Sequence, residues 1–237
     1  MGKFVVISGL PASGKSTLIK ALKEKYNVVI VPEHNEWVNN KFPKKPENKQ
    51  EKIDKQKFFL NLDVERYNWA MNHIDKADVV LSDTDFTSPL AHNYAERWQE
   101  GAFDIYAELV EEYGSYLREG KLGLPDKYIY LDVSLDDRAS RRKEDFENTE
   151  RKRNDLFFTP PFPQNMRHFY YQMMNDESKR KSLPAVWYDN CKRKEEALSD
   201  LWNIIAKIQK SAEQENMVDK FINALNLTVN DKQFCML

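Results

Sequence analysis

Residues 9 to 16, Gly9-Leu10-Pro11-Ala12-Ser13-Gly14-Lys15-Ser16, spell G-x-x-x-x-G-K-[ST], the pattern of a loop that cradles phosphate. The motif constrains the fold because it works only between a strand and a helix. Phe4-Val5-Val6-Ile7 before it is a short apolar, β-branched run suited to a buried parallel strand, and Thr17 to Leu22 after it has helical spacing. Gly9 and Gly14 permit backbone angles and close approach that a Cβ would block, so that successive N–H groups can converge on phosphate oxygens. The helix N-terminus near Lys15 adds partial positive charge. Lys15 is expected at the β- and γ-phosphates of a nucleotide and the Ser16 hydroxyl on Mg²⁺, with Ser13 and Thr17 completing the nucleotide-binding loop. The bland alternative is a Gly/Ser-rich turn that binds nothing, and the full pattern in its required context argues against it.

The remainder alternates strands with helices. Asn27 to Val31 predicts a second strand with Glu33 just past its C-terminal end, where ligands of open α/β sheets bind. Lys41 to Lys55, polar and lysine-rich with Pro43 and Pro46, reads as an exposed or lid-like loop. Apolar spacing from Ile53 to Ile74 predicts one long helix, Ala77 to Asp83 a third strand ending in a carboxylate, and Ser88-Pro89 the first turn of another helix. Further helices are expected over 103–117, 135–152 and 198–208, a Pro/Phe-rich loop over 157–163, and strands over 128–133 and 184–188. Such alternation implies one α/β domain, a parallel sheet with right-handed crossovers and helices on both faces, spanning residues 1–210. Residues 211–237 follow as a tail, with an amphipathic helix at Met217 to Leu225 that packs on the domain surface.

Among 237 residues the net charge is −2, so the whole-chain charge makes no case for nucleic acid or an anionic membrane. No apolar run approaches membrane length. Two cysteines, Cys191 and Cys235, have no metal-site spacing and suit a reducing cytoplasm. Because a strand is predicted at the start of the sequence, no leader is expected, and a homodimer is compatible with this reading.

Asp83-Thr84-Asp85-Phe86-Thr87-Ser88-Pro89-Leu90-Ala91-His92-Asn93 resembles the thymidylate kinase pattern D-R-Y-x-x-S-x-x-A-Y-Q, with matches at Asp83, Ser88 and Ala91. Thr84 stands where that family has Arg, and His92-Asn93 replace Tyr-Gln. Val31-Pro32-Glu33-His34-Asn35-Glu36-Trp37 resembles the V-P-E-P-V-x-x-W stretch of deoxynucleoside kinases. There the Glu takes the proton of the attacking 5′-hydroxyl and the Trp lines the nucleoside pocket. Phe59 to Arg66 is similar to the long helix of both families, which implies that Arg66 faces the acceptor. Leu131 to Arg142 resembles their strand-to-lid connection, and Asp189-Asn190-Cys191 the loop that edges the adenine. The resemblance covers residues 3 to about 210. It implies a P-loop NTPase fold, a three-layer α/β/α sandwich with a five-stranded parallel sheet and a helical lid near 145–165, and phosphoryl transfer from ATP with Mg²⁺. The acceptor implied is a nucleoside monophosphate or a deoxynucleoside.

The candidate residues follow. Lys15, Glu33, Asp83 and Arg142 are expected in catalysis, and Gly9, Ser13, Gly14, Lys15, Ser16, Thr17 and Asn190 on the nucleotide. Trp37, Arg66, Asp83 and Ser88 are expected on the small-molecule acceptor, Arg142, Arg151 and Arg153 on the lid, and Ser16 with Asp83 on the metal. Phosphoryl transfer needs cations that neutralise the equatorial oxygens, which arginine forks do well; most of the charges between 138 and 153 nonetheless suit a solvated helix. No guanine-recognition N-K-x-D occurs, nor the Asp-Glu after an apolar run that suggests a motor ATPase. Two other readings stay open: a kinase of another hydroxyl (an antibiotic, a modified base, a polynucleotide end), and a nucleotide-binding protein without turnover. Spacing at Asp83, Ser88 and Ala91 leans towards a monophosphate acceptor.

Overall fold

The computed structural model describes residues 2–39, 41–142, 156–209 and 214–232. Five parallel strands form one sheet: β1 (Lys3–Ser8), β2 (Val28–Ile30), β3 (Val79–Asp83), β4 (Lys127–Asp132) and β5 (Ala185–Asp189), in the order β2-β3-β1-β4-β5. β1 is central, with Val5 opposite Leu81 of β3 and Lys127 of β4. β1 is apolar from Phe4 to Ile7 because both of its faces are covered there. Val5 and Ile7 turn towards α1 (Lys15–Lys25) and α8 (Lys194–Ala206), meeting Leu18, Leu22, Leu201 and Ile205. Phe4 and Val6 turn the other way, into a larger core with residues of α3 (Lys49–His73), α4 (Thr87–Glu96), α5 (Tyr106–Arg118) and α7 (Phe162–Met174). This is the three-layer α/β/α fold of P-loop NTPases. β2 and β3 lie on one side of β1, and β4 and β5 on the other. The chain reverses direction across the sheet at β1, which places a crevice at the C-terminal strand ends beside the loop that follows it.

The 41–55 loop ends sooner than expected, because the Asn48 side chain accepts from the Glu51 N–H at 2.9 Å and starts α3 at Lys49. A short helix, α2 (His34–Val38), follows Glu33, whose N–H is held by the Glu36 carboxylate at 3.0 Å. α6 spans Leu135–Arg141, started by Ser134 accepting from the Asp137 N–H; most of the predicted lid, with Arg151 and Arg153, lies outside the described residues, as does Cys235. The expected 157–163 loop is a 3₁₀ turn at Leu156–Phe158 followed by α7, a helix the sequence reading leaves unassigned. The last core helix, α8, starts earlier than expected, and α9 (Gln214–Val229) packs on α5 with Phe221 and Leu225 fully buried.

Candidate active site

The phosphate loop takes its shape from close approach. At Gly9 (φ 149°) a Cβ would stand 2.7 Å from the Leu131 carbonyl oxygen, so no other residue fits between β1 and β4. Gly14 (φ 94°) caps α1, and a Cβ there would press on the Asn190 amide at 3.1 Å. Asn190, just after β5, donates from Nδ2 to the Ser13 carbonyl at 2.7 Å. Arg141 donates from Nη1 to the same carbonyl at 3.1 Å and from Nη2 to the Asn190 carbonyl at 2.8 Å. The loop after β5 and the end of α6 are thus tied directly to the phosphate loop.

Lys15 Nζ donates to the carbonyls of Gly9 at 2.8 Å and Leu10 at 3.3 Å, so its ammonium lies across the mouth of the loop. Desolvation holds its pKa below the ordinary lysine value; the carboxylates of Asp83 and Glu33 act in the opposite direction, and Arg138 and Arg142 reinforce the lowering. Four groups of the expected site therefore share one electrostatic neighbourhood. Thr17 is exposed on the first turn of α1. The Ser16 hydroxyl donates to Asp83 Oδ2 at 2.8 Å. A hydroxyl and a carboxylate at the foot of a phosphate loop are hard oxygen donors, the set that Mg²⁺ takes together with substrate phosphates. Among the described residues no cluster of three His, Cys, Asp or Glu offers an all-protein metal cage. Ser16 and Asp83 fit Mg²⁺ carried in with the nucleotide.

Three arginines at or after the end of β4 lie near the loop. Arg138 is buried and donates from Nη1 to the carbonyls of Pro11 and Phe157, both at 3.3 Å, and Arg141 holds the loop as above. Arg142 caps α6, with its guanidinium 5.9 Å from the Phe158 ring. The i,i+3 spacing of Arg138 and Arg141 puts both on one helix face.

Arg66 is buried beneath the ends of β2 and β3. Its Nε donates to Pro32 O at 3.1 Å, and Nη2 to Ser82 Oγ at 3.0 Å, Asp83 O at 3.3 Å and Thr84 O at 3.4 Å. Nη1 faces Asp63 Oδ1 at 3.5 Å and His34 Nε2 at 3.3 Å. Asp63, also buried, accepts from Tyr113 Oη at 3.3 Å and lies 3.0 Å from His34 Nε2. Arg66 thus pins the switch from β3 to Thr84, a non-glycine residue at φ 63°. Trp37 Nε1 reaches Pro32 O at 3.3 Å, so the indole braces the strand end. Glu33 is exposed at the start of α2.

Beyond His34 and Thr84 opens a cavity of about 460 Å³, walled by α3, α4 and the segment at Gly101–Phe103 and lined among others by Ser88, Phe59, Gln56 and Asn93. Its volume lies within the range of small-molecule sites. Lys52 and His92 flank Glu96 there, at 2.9 and 3.5 Å. Burial works against the Glu96 charge, but hydrogen bonds from His92 and Lys52 prevail and hold its pKa at about 2. The structure thus brings Lys15, Ser16, Asp83 and Asn190 together at the loop and puts Ser88 on the cavity wall. The cavity residues Gln56, Lys52 and Glu96 escaped sequence reading, since a polar residue in a long helix looks the same whether it faces water or a cavity.

The sequence matches the family model of an AAA domain over residues 4–117. A search of curated proteins finds no match. Among solved structures, deoxyadenosine kinase from M. mycoides with bound dATP superposes with a TM-score of 0.57 at 20% identity, covering 86% of this chain and all of that one. Thymidylate kinase from Candida albicans gives 0.55 at 15% identity, covering 86% of this chain and 91% of that one. At these identities the likeness is one of fold.

Proposed function

We propose that this protein is an ATP-dependent kinase that phosphorylates a hydroxyl group of a nucleoside-type acceptor. The observation that carries the reading is the 2.8 Å contact between Ser16 and Asp83 at the foot of a complete phosphate loop, with the large cavity opening beyond the same strand end. MgATP would lie with its phosphates in the loop, Lys15 on the β- and γ-phosphates, Mg²⁺ on Ser16 and Asp83, and its base beside Asn190. The acceptor hydroxyl oxygen attacks the γ-phosphorus, the bond from that phosphorus to the β,γ-bridging oxygen breaks, and ADP leaves with that electron pair. In this reading the hydroxyl proton passes to Glu33, whose charge acts on Lys15.

A hydroxyl is favoured over the monophosphate towards which the sequence leans, because among the described residues the arginine beside the transfer end of the cavity is committed to other partners. Thr84 replaces the family arginine, and Arg66 spends its donors on Pro32, Ser82, Asp83 and Thr84. A bare hydroxyl needs a base instead. Glu33→Gln, which keeps the shape and removes the charge, is expected to lower kcat roughly 100-fold with little change in acceptor KM. A near-normal kcat in this variant would return the choice to a monophosphate, which needs no base. ADP release measured against nucleosides and nucleoside monophosphates with both proteins makes the test.

A further inference from the structure

The acceptor cavity has its free cations at one end. Its direction is set by α3, which touches the ends of β2 and β3 at Arg66, beside the site of transfer. Lys55 lies about three turns nearer the start of that helix, roughly 16 Å along its axis, and Lys52 almost one turn further. His34 and Thr84 form the inner wall, and Phe59, its ring 6.0 Å from that of His34, the middle. Lys45, Lys52 and Lys55 line the outer end. Lys52 is already matched, since its ammonium donates to Phe103 O at 2.6 Å and pairs with Glu96 at 2.9 Å. Lys45 and Lys55 have neither ion pair nor hydrogen bond among the described residues, and Lys55 is half-buried. The outer end therefore carries uncompensated positive charge, while at the inner end, among the described residues, Arg66 is spent on Pro32, Ser82, Asp83 and Thr84.

We propose that the acceptor bears a phosphate remote from the hydroxyl that is phosphorylated, and that Lys45 and Lys55 bind it. This rests on the kinase reading above and narrows its substrate class to a nucleoside-type alcohol already carrying a phosphate at its far end, as in a nucleoside 3′-phosphate with a free 5′-hydroxyl. A cavity of about 460 Å³ suits one such nucleotide. The same chemistry occurs at the 5′-hydroxyl end of a nucleic-acid strand, so the test carries both sources.

The full-length protein is titrated calorimetrically, without ATP, with the nucleosides, their 3′- and 5′-monophosphates and short 5′-hydroxyl oligonucleotides, and the same probes are then offered with labelled ATP. For at least one base, the 3′-phosphate is expected to bind about tenfold or more tightly than the nucleoside or the 5′-phosphate, and the double variant Lys45→Ala/Lys55→Ala to lose that preference. ATP affinity of the variant reports that it is folded. A gain with the mononucleotide identifies a free nucleotide as the source, and a gain only with oligonucleotides identifies a strand end. No gain over the nucleoside with either the 3′-mononucleotides or the 5′-hydroxyl oligonucleotides, a preference that survives in the double variant, or no binding of any phosphate-bearing probe overturns the proposal. Lysine-dependent binding without transfer would sink the kinase reading and keep the anion site. Transfer to nucleosides with no phosphate preference would do the reverse.

Discussion

Removing the Arg66 guanidinium would leave the Asp63 carboxylate, 4% exposed, without its cation, and would strip the carbonyls of Pro32, Asp83 and Thr84 of a donor. Arg66→Ala is therefore expected to cost about 3–5 kcal/mol in urea unfolding, the usual range for breaking a buried pair. Unchanged stability with a raised acceptor KM would mean that the guanidinium reaches the cavity after all. Asp85 carries a pH signature. Burial pushes its pKa from 3.8 up to about 6, even though hydrogen bonds from Thr87 and Tyr128 favour its charged form. Between those values the folded protein holds a proton that the unfolded chain has released, so stability falls as pH rises through that window and levels off above about 6, by at most about 3 kcal/mol. Asp85→Asn should flatten this slope, read as the difference between variant and wild type in unfolding free energy at pH 4.5 and 7.5. Identical slopes would refute the assignment. At this scale the sequence was informative about Lys15, Ser16 and Asp83, because their chemistry dictates both type and spacing. It was not informative about Arg66, since an arginine that binds a phosphate and one that binds three carbonyls look alike in a string of letters.

Among the elements, the five strands are legible because buried parallel strands are continuous apolar runs bounded by turn signals. α7 is the instructive omission. Phe162, Met166, Phe169, Tyr170 and Met173 are all buried at helical spacing, and Pro163 sits in the first turn where proline is favoured. The signal lies beneath a Pro- and Phe-rich opening that reads locally as a loop. α9 was found but underrated. An amphipathic tail helix has no local mark that tells surface docking from core membership, and here Phe221 is fully buried with its ring 6.1 Å from that of Phe86. Phe221→Ala should destabilise the protein by about 3–5 kcal/mol, measured by thermal or urea unfolding. A change below about 1 kcal/mol would show that α9 adds little to the core.

Across the whole molecule, the order β2-β3-β1-β4-β5 brings the loops after β1, β3 and β5 to the same edge, so that Lys15, Asp83 and Asn190 converge although they are far apart in sequence. The most direct test of phosphoryl transfer at this edge is the acceptor-dependent transfer of label from γ-labelled ATP, with Lys15→Ala as its partner. The account predicts that a hydroxyl-bearing nucleoside or nucleotide is labelled only when Mg²⁺ is present, and that Lys15→Ala, still folded, loses on the order of 100-fold or more in kcat. ATP binding with no labelled acceptor, or near-normal turnover in Lys15→Ala, would contradict it.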